Sequence, residues 1–204
     1  RTRFALDRPT VQRHSALMVS LNRVIMGPAS RKLIQDLNPQ TLKVAEISGH
    51  YGTQFDFKSY EQFRYPEYDI CAGPYMDSET QKPRKFDLIL ANQVWEHLDR
   101  PYIATKHVRQ MLKKGGKFWV AVPFYVPFHA APMDNSRWSA RGLKNFLVEC
   151  GFEEDLVQSW QWGNRHVAKR NLEDVWPPEY VEGEDDIADD PMMPVCAWAM
   201  AERS

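Results

Sequence analysis

The 204 residues suit one globular domain, because a chain of this length rarely builds two independent hydrophobic cores. Hydrophobic residues make up 43% of the chain and charged residues 26%, which is ordinary for a protein with a packed core. The formal net charge is −1, so no overall positive field attracts nucleic acid or an anionic membrane. We therefore expect neither of these as a partner.

Targeting signals and paired cysteines are both missing from the sequence. No apolar run reaches the ~18 residues of a membrane-spanning helix, and no signal peptide is visible. The three cysteines, Cys71, Cys150 and Cys196, are isolated and form no C-x-x-C pair, which argues against a disulfide framework and a cysteine zinc site. We expect a cytoplasmic location.

The N-terminal part of the chain has a helical pattern. Apolar residues recur at helical spacing from residue 10 to residue 37, and Gly27 and Pro28 are predicted to split this stretch into two helices. We interpret residues 1–38 as a helical lid or extension and residues 39–204 as the main domain.

Strands and helices alternate through the main domain. In chain order the predicted elements are strands at "LKVAEI" (42–47), "YEQFRY" (60–65) and "KFDLILAN" (85–92), a helix from about 100 to 113 with Gly115 as its stop, a strand at "KFWVAVPF" (117–124), a helix at 139–151 with Ser139 as N-cap, and strands at "EDLVQSWQW" (154–162) and "PVCAWAMAER" (194–203). The acidic loop between the last two strands is interpreted as solvated surface. This alternation predicts an α/β protein with a largely parallel sheet and helices on both faces.

Polar residues mark the ends of three predicted strands, where doubly wound sheets bind ligands. In "AEISGHYGT" (45–53), Glu46 ends a strand, and Gly49 and Gly52 allow close backbone approach, although a tight turn without a ligand explains them equally well. Asn92 and Gln93 emerge from the next such strand, where they would either meet a ligand or cap the following turn. The third end is a long loop with His129, Asp134 and Arg137 as ionisable groups, and a loop of this length between regular elements is often functional.

Two stretches of the chain resemble one family. "KFDLILANQVWEHLDRPYIATKHVRQMLKKGGKFWVAVPF" (85–124) is similar to the "FDL…EHL…LKPGG" signature of class I S-adenosylmethionine-dependent methyltransferases, with Lys114 in place of the usual proline. "FHAAPMDNSRWSARGLKNFLVECGF" (128–152) is similar to the stretch that follows in many members, most closely the small bacterial type 11 domains. The resemblance implies a Rossmann-like doubly wound sheet of about seven strands, the last one antiparallel, and S-adenosylmethionine as cofactor.

The residues expected to bind the cofactor depart from the family's pattern in two places. Aligned on Glu46, the family's first motif, E/D-x-G-x-G-x-G, places Ser48, His50 and Gly52 at its glycine positions, so only the last glycine is kept. The acidic residue that usually holds the ribose is replaced near its position by Arg64, whose guanidinium cannot accept a hydrogen bond, with Asp69 close by. The cofactor-binding set implied by the resemblance is Glu46, Ser48, Gly49, Gly52, Arg64, Asp69, Asn92 and Gln93.

The resemblance implies methyl transfer to an oxygen or nitrogen of a small-molecule acceptor. Such an enzyme mainly positions the acceptor and excludes water. His129 is the candidate base because its charge changes near neutral pH, and the alternative is a loop histidine packed between Phe128 and Pro132. Asp134 and Arg137 would orient the acceptor, or they form an ion pair that fixes the loop.

Three alternatives stay open. The altered first motif also suits a domain that lost its cofactor and binds a partner, and a third reading is another reaction, such as a cyclisation, on the same fold. Some methyltransferases hold a divalent metal with an E-x-x-E-H motif; here Gln93 replaces the first glutamate before Glu96 and His97, so we expect no metal. A homodimer is compatible with the sequence.

Overall fold

The computed structural model describes residues 19–130 and 132–204. Six strands form one mixed sheet in the order β2–β1–β3–β4–β6–β5. The strands are β1 (Lys43–Ile47), β2 (Ser59–Phe63), β3 (Phe86–Asn92), β4 (Leu112–Pro123), β5 (Val157–Trp162) and β6 (Cys196–Glu202). The β1–β2, β1–β3 and β3–β4 pairs are parallel, whereas β6 runs antiparallel to both of its neighbours. The predicted doubly wound sheet with an antiparallel last strand is confirmed, with six strands in the described residues rather than about seven.

Four helices cover the two faces of this sheet. They are α1 (Met26–Gln35), α2 (Pro101–Met111), α3 (Ala140–Glu149) and α4 (Arg165–Arg170). Successive β3 residues point to opposite sides, so Leu88 packs in the core under α1 and α4, while Ile89 packs in the core under α2 and α3. Both faces are therefore buried, as the continuous apolar strands predict.

The N-terminal segment differs from the prediction. Gly27 and Pro28 do not break a helix but stand in the first turn of α1, where the missing amide hydrogen of proline removes no intrahelical bond. Residues 10–18 of the predicted first helix lie outside the described residues, and Leu21–Arg23 form a single 3-10 turn. The lid at residues 1–38 stays a prediction, although α1 buries Met26 and Ile34 against the sheet.

Of two helix boundaries predicted from the sequence, one is confirmed and one is wrong. The Ser139 hydroxyl accepts a hydrogen bond from the amide of Gly142 at 3.2 Å, which confirms it as the N-cap of α3. The predicted stop of α2 at Gly115 is wrong, because the helix ends at Met111 and Gly115 lies inside β4 with φ +73°. The helix α4 was not predicted from the sequence; Asn164 caps it by accepting from the amide of Val167.

The acidic loop between β5 and β6 is largely exposed, apart from one buried aspartate. Asp185 accepts from the amide of Val181 at 2.8 Å and contacts His166 and Arg170. This carboxylate thus ties the loop to α4. No helix in the described part of the chain is long and apolar enough to cross a membrane.

Candidate active site

A cavity of about 600 Å³ opens at the carboxyl ends of β1, β2 and β3. Because the chain leaves β1 for β2 on one side and returns to β3 on the other, this is where the strand order reverses. Its volume lies within the range of small-molecule sites. Of the residues in the predicted cofactor-binding set, Ser48, Gly49, Arg64, Asp69 and Gln93 line this cavity, whereas Glu46, Gly52 and Asn92 do not.

The carboxylate of Glu46 is engaged within the protein. Its side chain is fully buried; Oε1 accepts from the amide of Tyr51 at 2.7 Å, and Oε2 accepts from the amide of Gly52 at 2.7 Å. The Tyr60 hydroxyl donates to Oε2 at 2.5 Å. Burial, together with this hydrogen bond, raises the pKa of Tyr60, so the phenol stays a donor. Glu46 therefore holds the loop after β1 in shape through contacts inside the protein.

Two residues without the freedom of glycine adopt left-handed conformations beside the cavity. Ser48 has φ 51° and Gln93 has φ 57°. Each is held by a backbone bond to a neighbouring strand: the Ser48 amide donates to the carbonyl of Phe63, and the Gln93 amide donates to the carbonyl of Ala121, both at 2.8 Å. Such conformations cost roughly 1 kcal/mol or more and concentrate at ligand sites.

Asp69 supplies the acceptor chemistry that Arg64 lacks. The Arg64 guanidinium donates to the Gln62 side chain at 3.0 Å. One carboxylate oxygen of Asp69 accepts from the amide of Cys71 at 2.8 Å, and the exposed Asp69 lines the cavity. A carboxylate can accept several hydrogen bonds at once, so Asp69 keeps capacity for the hydroxyl groups of a ligand.

A second cavity of about 270 Å³ adjoins the first. Its lining includes Asn22, Arg23, His129 and Trp176 as polar or aromatic groups, and Gln93 and His97 line both cavities. These two residues thus form a wall that the cavities share.

The loop after β4 is fixed by a buried ion pair. The Asp134 side chain is 1% exposed; it accepts from the amide of His129 at 2.8 Å and from two nitrogens of the Arg137 guanidinium. The hydrogen bonds from Arg137 hold the pKa of Asp134 at about 2, below its ordinary 3.8. Neither Asp134 nor Arg137 lines either of these two cavities, whereas His129 lines the smaller one.

In the sequence Glu96 stands out only as part of the E-x-x-E-H motif, whereas the structure brings it next to both His97 and His129. The carboxyl group is fully buried, and neither oxygen has a hydrogen-bond partner in the described part of the chain. Burial raises its pKa to about 8. One ligand-type atom from each of Glu96, His97 and His129 lies within 4.8 Å of the others. Spacing along the chain could not reveal this, because His129 follows His97 only after another helix and strand.

A family model described as "Methyltransferase domain" matches residues 25–171, well over half of the chain. No curated protein sequence matches significantly. The fold is similar to a structure from Thermotoga maritima described as a "SAM-dependent methyltransferase, possible histamine N-methyltransferase", with TM-score 0.54 and 15% identity over 90% of this chain and 92% of that chain. It is also similar to an S-adenosylmethionine-dependent methyltransferase from Mesorhizobium loti, with TM-score 0.50 and 12% identity over 86% and 96% of the two chains.

The same architecture also occurs in a (4+2)-cyclase, SpnF, with TM-score 0.51 and 12% identity over 87% of this chain and 81% of that chain. At these identities the structural likeness shows the fold, and the family model covers the strand ends that line the larger cavity. The particular likeness to type 11 domains stays a prediction. The chain belongs to the class I S-adenosylmethionine-dependent methyltransferase family.

Proposed function

We propose that the protein transfers the methyl group of S-adenosylmethionine to an oxygen or nitrogen of a small-molecule acceptor. The observation that carries this proposal is the wall of Gln93 and His97 between the two cavities. Methyl transfer needs the donor carbon and the acceptor atom about 3–3.5 Å apart and in line. Adjoining cavities that share two residues support this arrangement, with the cofactor in the larger cavity and the acceptor in the smaller.

The larger cavity fits the cofactor in volume and in chemistry. Asp69 would accept from the ribose hydroxyls, and the apolar side chains of Ile70 and Leu98 would flank the planar base. Ser48 and Gly49 would lie along the methionine end. When bound, the cofactor supplies an electrophilic methyl group on a sulfonium.

The smaller cavity favours a small acceptor with a titratable heteroatom. Its volume of about 270 Å³ suits a compact ring. The Nδ1 atom of His129 lies 2.9 Å from the carbonyl of Pro127, and a carbonyl only accepts, so the proton belongs on Nδ1. This leaves Nε2 with a lone pair that can take a proton from the acceptor.

The direct test is label transfer. The full chain would be incubated with S-adenosylmethionine labelled on the methyl group and a panel of phenols, catechols, amines and imidazoles. We expect transfer to at least one class. We also expect His129→Asn to lower kcat by about 10²-fold, the usual contribution of a general base, without weakening the binding of S-adenosylhomocysteine.

A matched control is His107→Asn. The His107 ring also places Nδ1 against a backbone carbonyl, that of Ile70 at 2.7 Å, and asparagine preserves that donor. If calorimetry showed no binding of either S-adenosylmethionine or S-adenosylhomocysteine, the proposal would fail.

A second candidate is a domain that has lost catalysis and serves as a binding subunit. The observation that favours it is Ser48, which holds a left-handed conformation at a glycine position of the first motif. The variant Ser48→Gly, alone and with His50→Gly, separates the two. A large gain in cofactor affinity would indicate an eroded site, whereas a loss of affinity would show that these side chains are used.

A further inference from the structure

Three ligand-type side chains from two separate segments meet at the shared wall. Glu96 and His97 stand in the 3-10 turn Trp95–His97 after β3, and His129 stands in the loop after β4. The His97 Nε2 atom lies 3.6 Å from Oε1 of Glu96, and the two imidazole rings are 5.2 Å apart, edge to face. Within the described ranges this is the one group of three such atoms within 4.8 Å of one another.

The carboxyl group at the centre of the group lacks hydrogen-bond partners in the described part of the chain. Glu96 is 0% exposed, and in the described residues neither of its oxygens has a hydrogen-bond partner. Buried polar atoms nearly always have partners, so an orphaned carboxylate points to a missing ion or water. Arg137 and Arg23 act on Glu96 as nearby positive charges, but within the described residues neither guanidinium forms a hydrogen bond or an ion pair with its carboxyl group.

In both histidines the Nε2 nitrogen keeps the lone pair that a metal needs. The Nδ1 atom of His97 lies 2.5 Å from the carbonyl of Met133, and that of His129 lies 2.9 Å from the carbonyl of Pro127. Since carbonyls only accept, each Nδ1 carries the proton and each Nε2 keeps its lone pair. Metal-binding histidines are usually oriented in this way, by a carbonyl or carboxylate behind the ring.

We propose that Glu96, His97 and His129 bind one divalent transition-metal ion, with an open coordination position toward the smaller cavity. Two imidazoles and one carboxylate suit Zn²⁺ or Fe²⁺ better than Mg²⁺ or Ca²⁺, which prefer oxygen ligands. Three protein ligands with one open position is the arrangement of catalytic zinc sites. The ligand set differs from the E-x-x-E-H pattern, because the distant His129 completes it and Gln93 does not.

The open position would allow the ion to bind the acceptor, and this step alone rests on the proposed function. His129 lines the smaller cavity and His97 lines both, so an acceptor oxygen in the smaller cavity could take the open position. A hydroxyl bound to such an ion would ionise near neutral pH and release its proton to water, since Nε2 of His129 would be bound to the ion. The ion would then replace His129 as the group that prepares the acceptor.

The test uses the full chain, free of affinity tag and dialysed against EDTA, with neither cofactor nor acceptor present. Zn²⁺ is titrated by calorimetry, and Co²⁺ is titrated by its visible absorption, which reports the ligands around the ion. We expect one equivalent to bind in the micromolar range or tighter. Because this test measures no methyl transfer, absence of metal binding would not contradict the proposed function. Likewise, absence of methyl transfer would not contradict the metal site.

Variants identify the ligands. We expect Glu96→Gln and His129→Asn each to weaken binding at least tenfold and to change the Co²⁺ spectrum, and His107→Asn to change neither. His129 lies in a loop, so its variant should fold even if the buried Glu96→Gln does not; circular dichroism checks both. Absence of stoichiometric binding by the folded wild type, or equal affinity in folded His129→Asn, would overturn the proposal.

Discussion

Gly49 and Gly52 surround the carboxylate of Glu46 so closely that neither position has room for a side chain. A Cβ at Gly49 would stand 2.1 Å from Oε1 of Glu46, and one at Gly52 would stand 2.4 Å from the ring of Tyr60. Three hydrogen bonds hold that carboxylate, so it cannot move aside without losing partners. Both glycines are thus explained by packing inside the protein, before any ligand is considered.

We predict that Gly49→Ala and Gly52→Ala each lower the free energy of unfolding by about 1–3 kcal/mol, the usual cost of overpacking. Gly73→Ala is the control, because a Cβ there meets nothing within 4 Å. Urea denaturation measures all three. If Gly52→Ala were as stable as Gly73→Ala, the Glu46 arrangement would not be rigid.

Asp134 gives the loop after β4 a dependence on pH. Arg137 lowers the pKa of this carboxyl from 3.8 to about 2 in the folded protein. Because the folded-state value is the lower one, the stabilisation is complete above pH 3.8 and is lost as the pH falls toward 2. It amounts to on the order of 2 kcal/mol.

We predict that Asp134→Asn lowers the free energy of unfolding at pH 6 and that the gap to the wild type narrows below pH 4. Denaturant unfolding at a series of pH values measures it, with an exposed aspartate outside the loop as the reference substitution. A gap that stayed constant down to pH 2.5 would contradict the assigned ion pair.

At the scale of elements, local pattern predicted most of the sheet. Apolar or β-like runs located all six strands of the described residues, and Ser139 located the start of α3, because these signals depend on neighbours in the chain. The wrong predictions involve residues whose sequence signal fits two different structures. Pro28 both ends and begins helices, and only the packing of Met26 shows that it begins one. The helix α4 is six residues long, too short for a periodic signal.

The N-terminal turn and α4 are joined by a pair of buried amides. Asn22 and Asn171 donate to each other at 2.8 and 2.7 Å, and the indole of Trp176 donates to Asn171 at 2.8 Å. Asn22 and Trp176 also line the smaller cavity. The pair therefore couples the wall of the proposed acceptor site to the packing of two distant elements.

We predict that Asn171→Ala destabilises the protein by about 1–3 kcal/mol, since it leaves the buried Asn22 amide and the Trp176 indole unpaired. Asn22→Ala should cost less, because Asn171 keeps the Trp176 indole and the Val167 carbonyl as partners. The double variant should cost clearly less than the sum of the two. A thermodynamic cycle of denaturant unfolding gives the coupling energy. Additive losses would show that the two amides act independently.

At the scale of the whole molecule, the candidate site forms where segments that are distant along the chain come together. A local sequence pattern does not show which segments these are. The smaller cavity takes residues from 20–23, 93–97, 123–129, 176–177 and 195–196. The strand-end rule and the family resemblance located the larger cavity, since Ser48, Asp69 and Gln93 all line it. They could not show that Glu46 is satisfied internally, or that His129 reaches Glu96, because both facts follow from how separate loops fold over the sheet edge.

Filling each cavity with a larger side chain should separate cofactor binding from methyl transfer. Leu98 lines only the larger cavity and Val126 lines only the smaller, and both are half-buried. We predict that Leu98→Trp weakens S-adenosylhomocysteine binding at least tenfold, a loss of about 1.4 kcal/mol, because the indole would occupy cofactor space. Val126→Trp should leave that affinity within about twofold while abolishing label transfer, because its indole would fill the acceptor cavity instead.

Calorimetry with S-adenosylhomocysteine and the labelled-methyl assay measure the two effects, and melting curves check that both variants fold. Each variant serves as the control of the other, since both introduce the same side chain at a half-buried position. If the larger cavity binds the cofactor and the smaller one binds the acceptor, the two variants respond differently. Leu98→Trp loses cofactor binding, whereas Val126→Trp binds the cofactor but does not transfer the methyl group. Equal loss of cofactor binding in both would mean that the cofactor extends past Gln93 and His97, and the acceptor would then have to bind elsewhere.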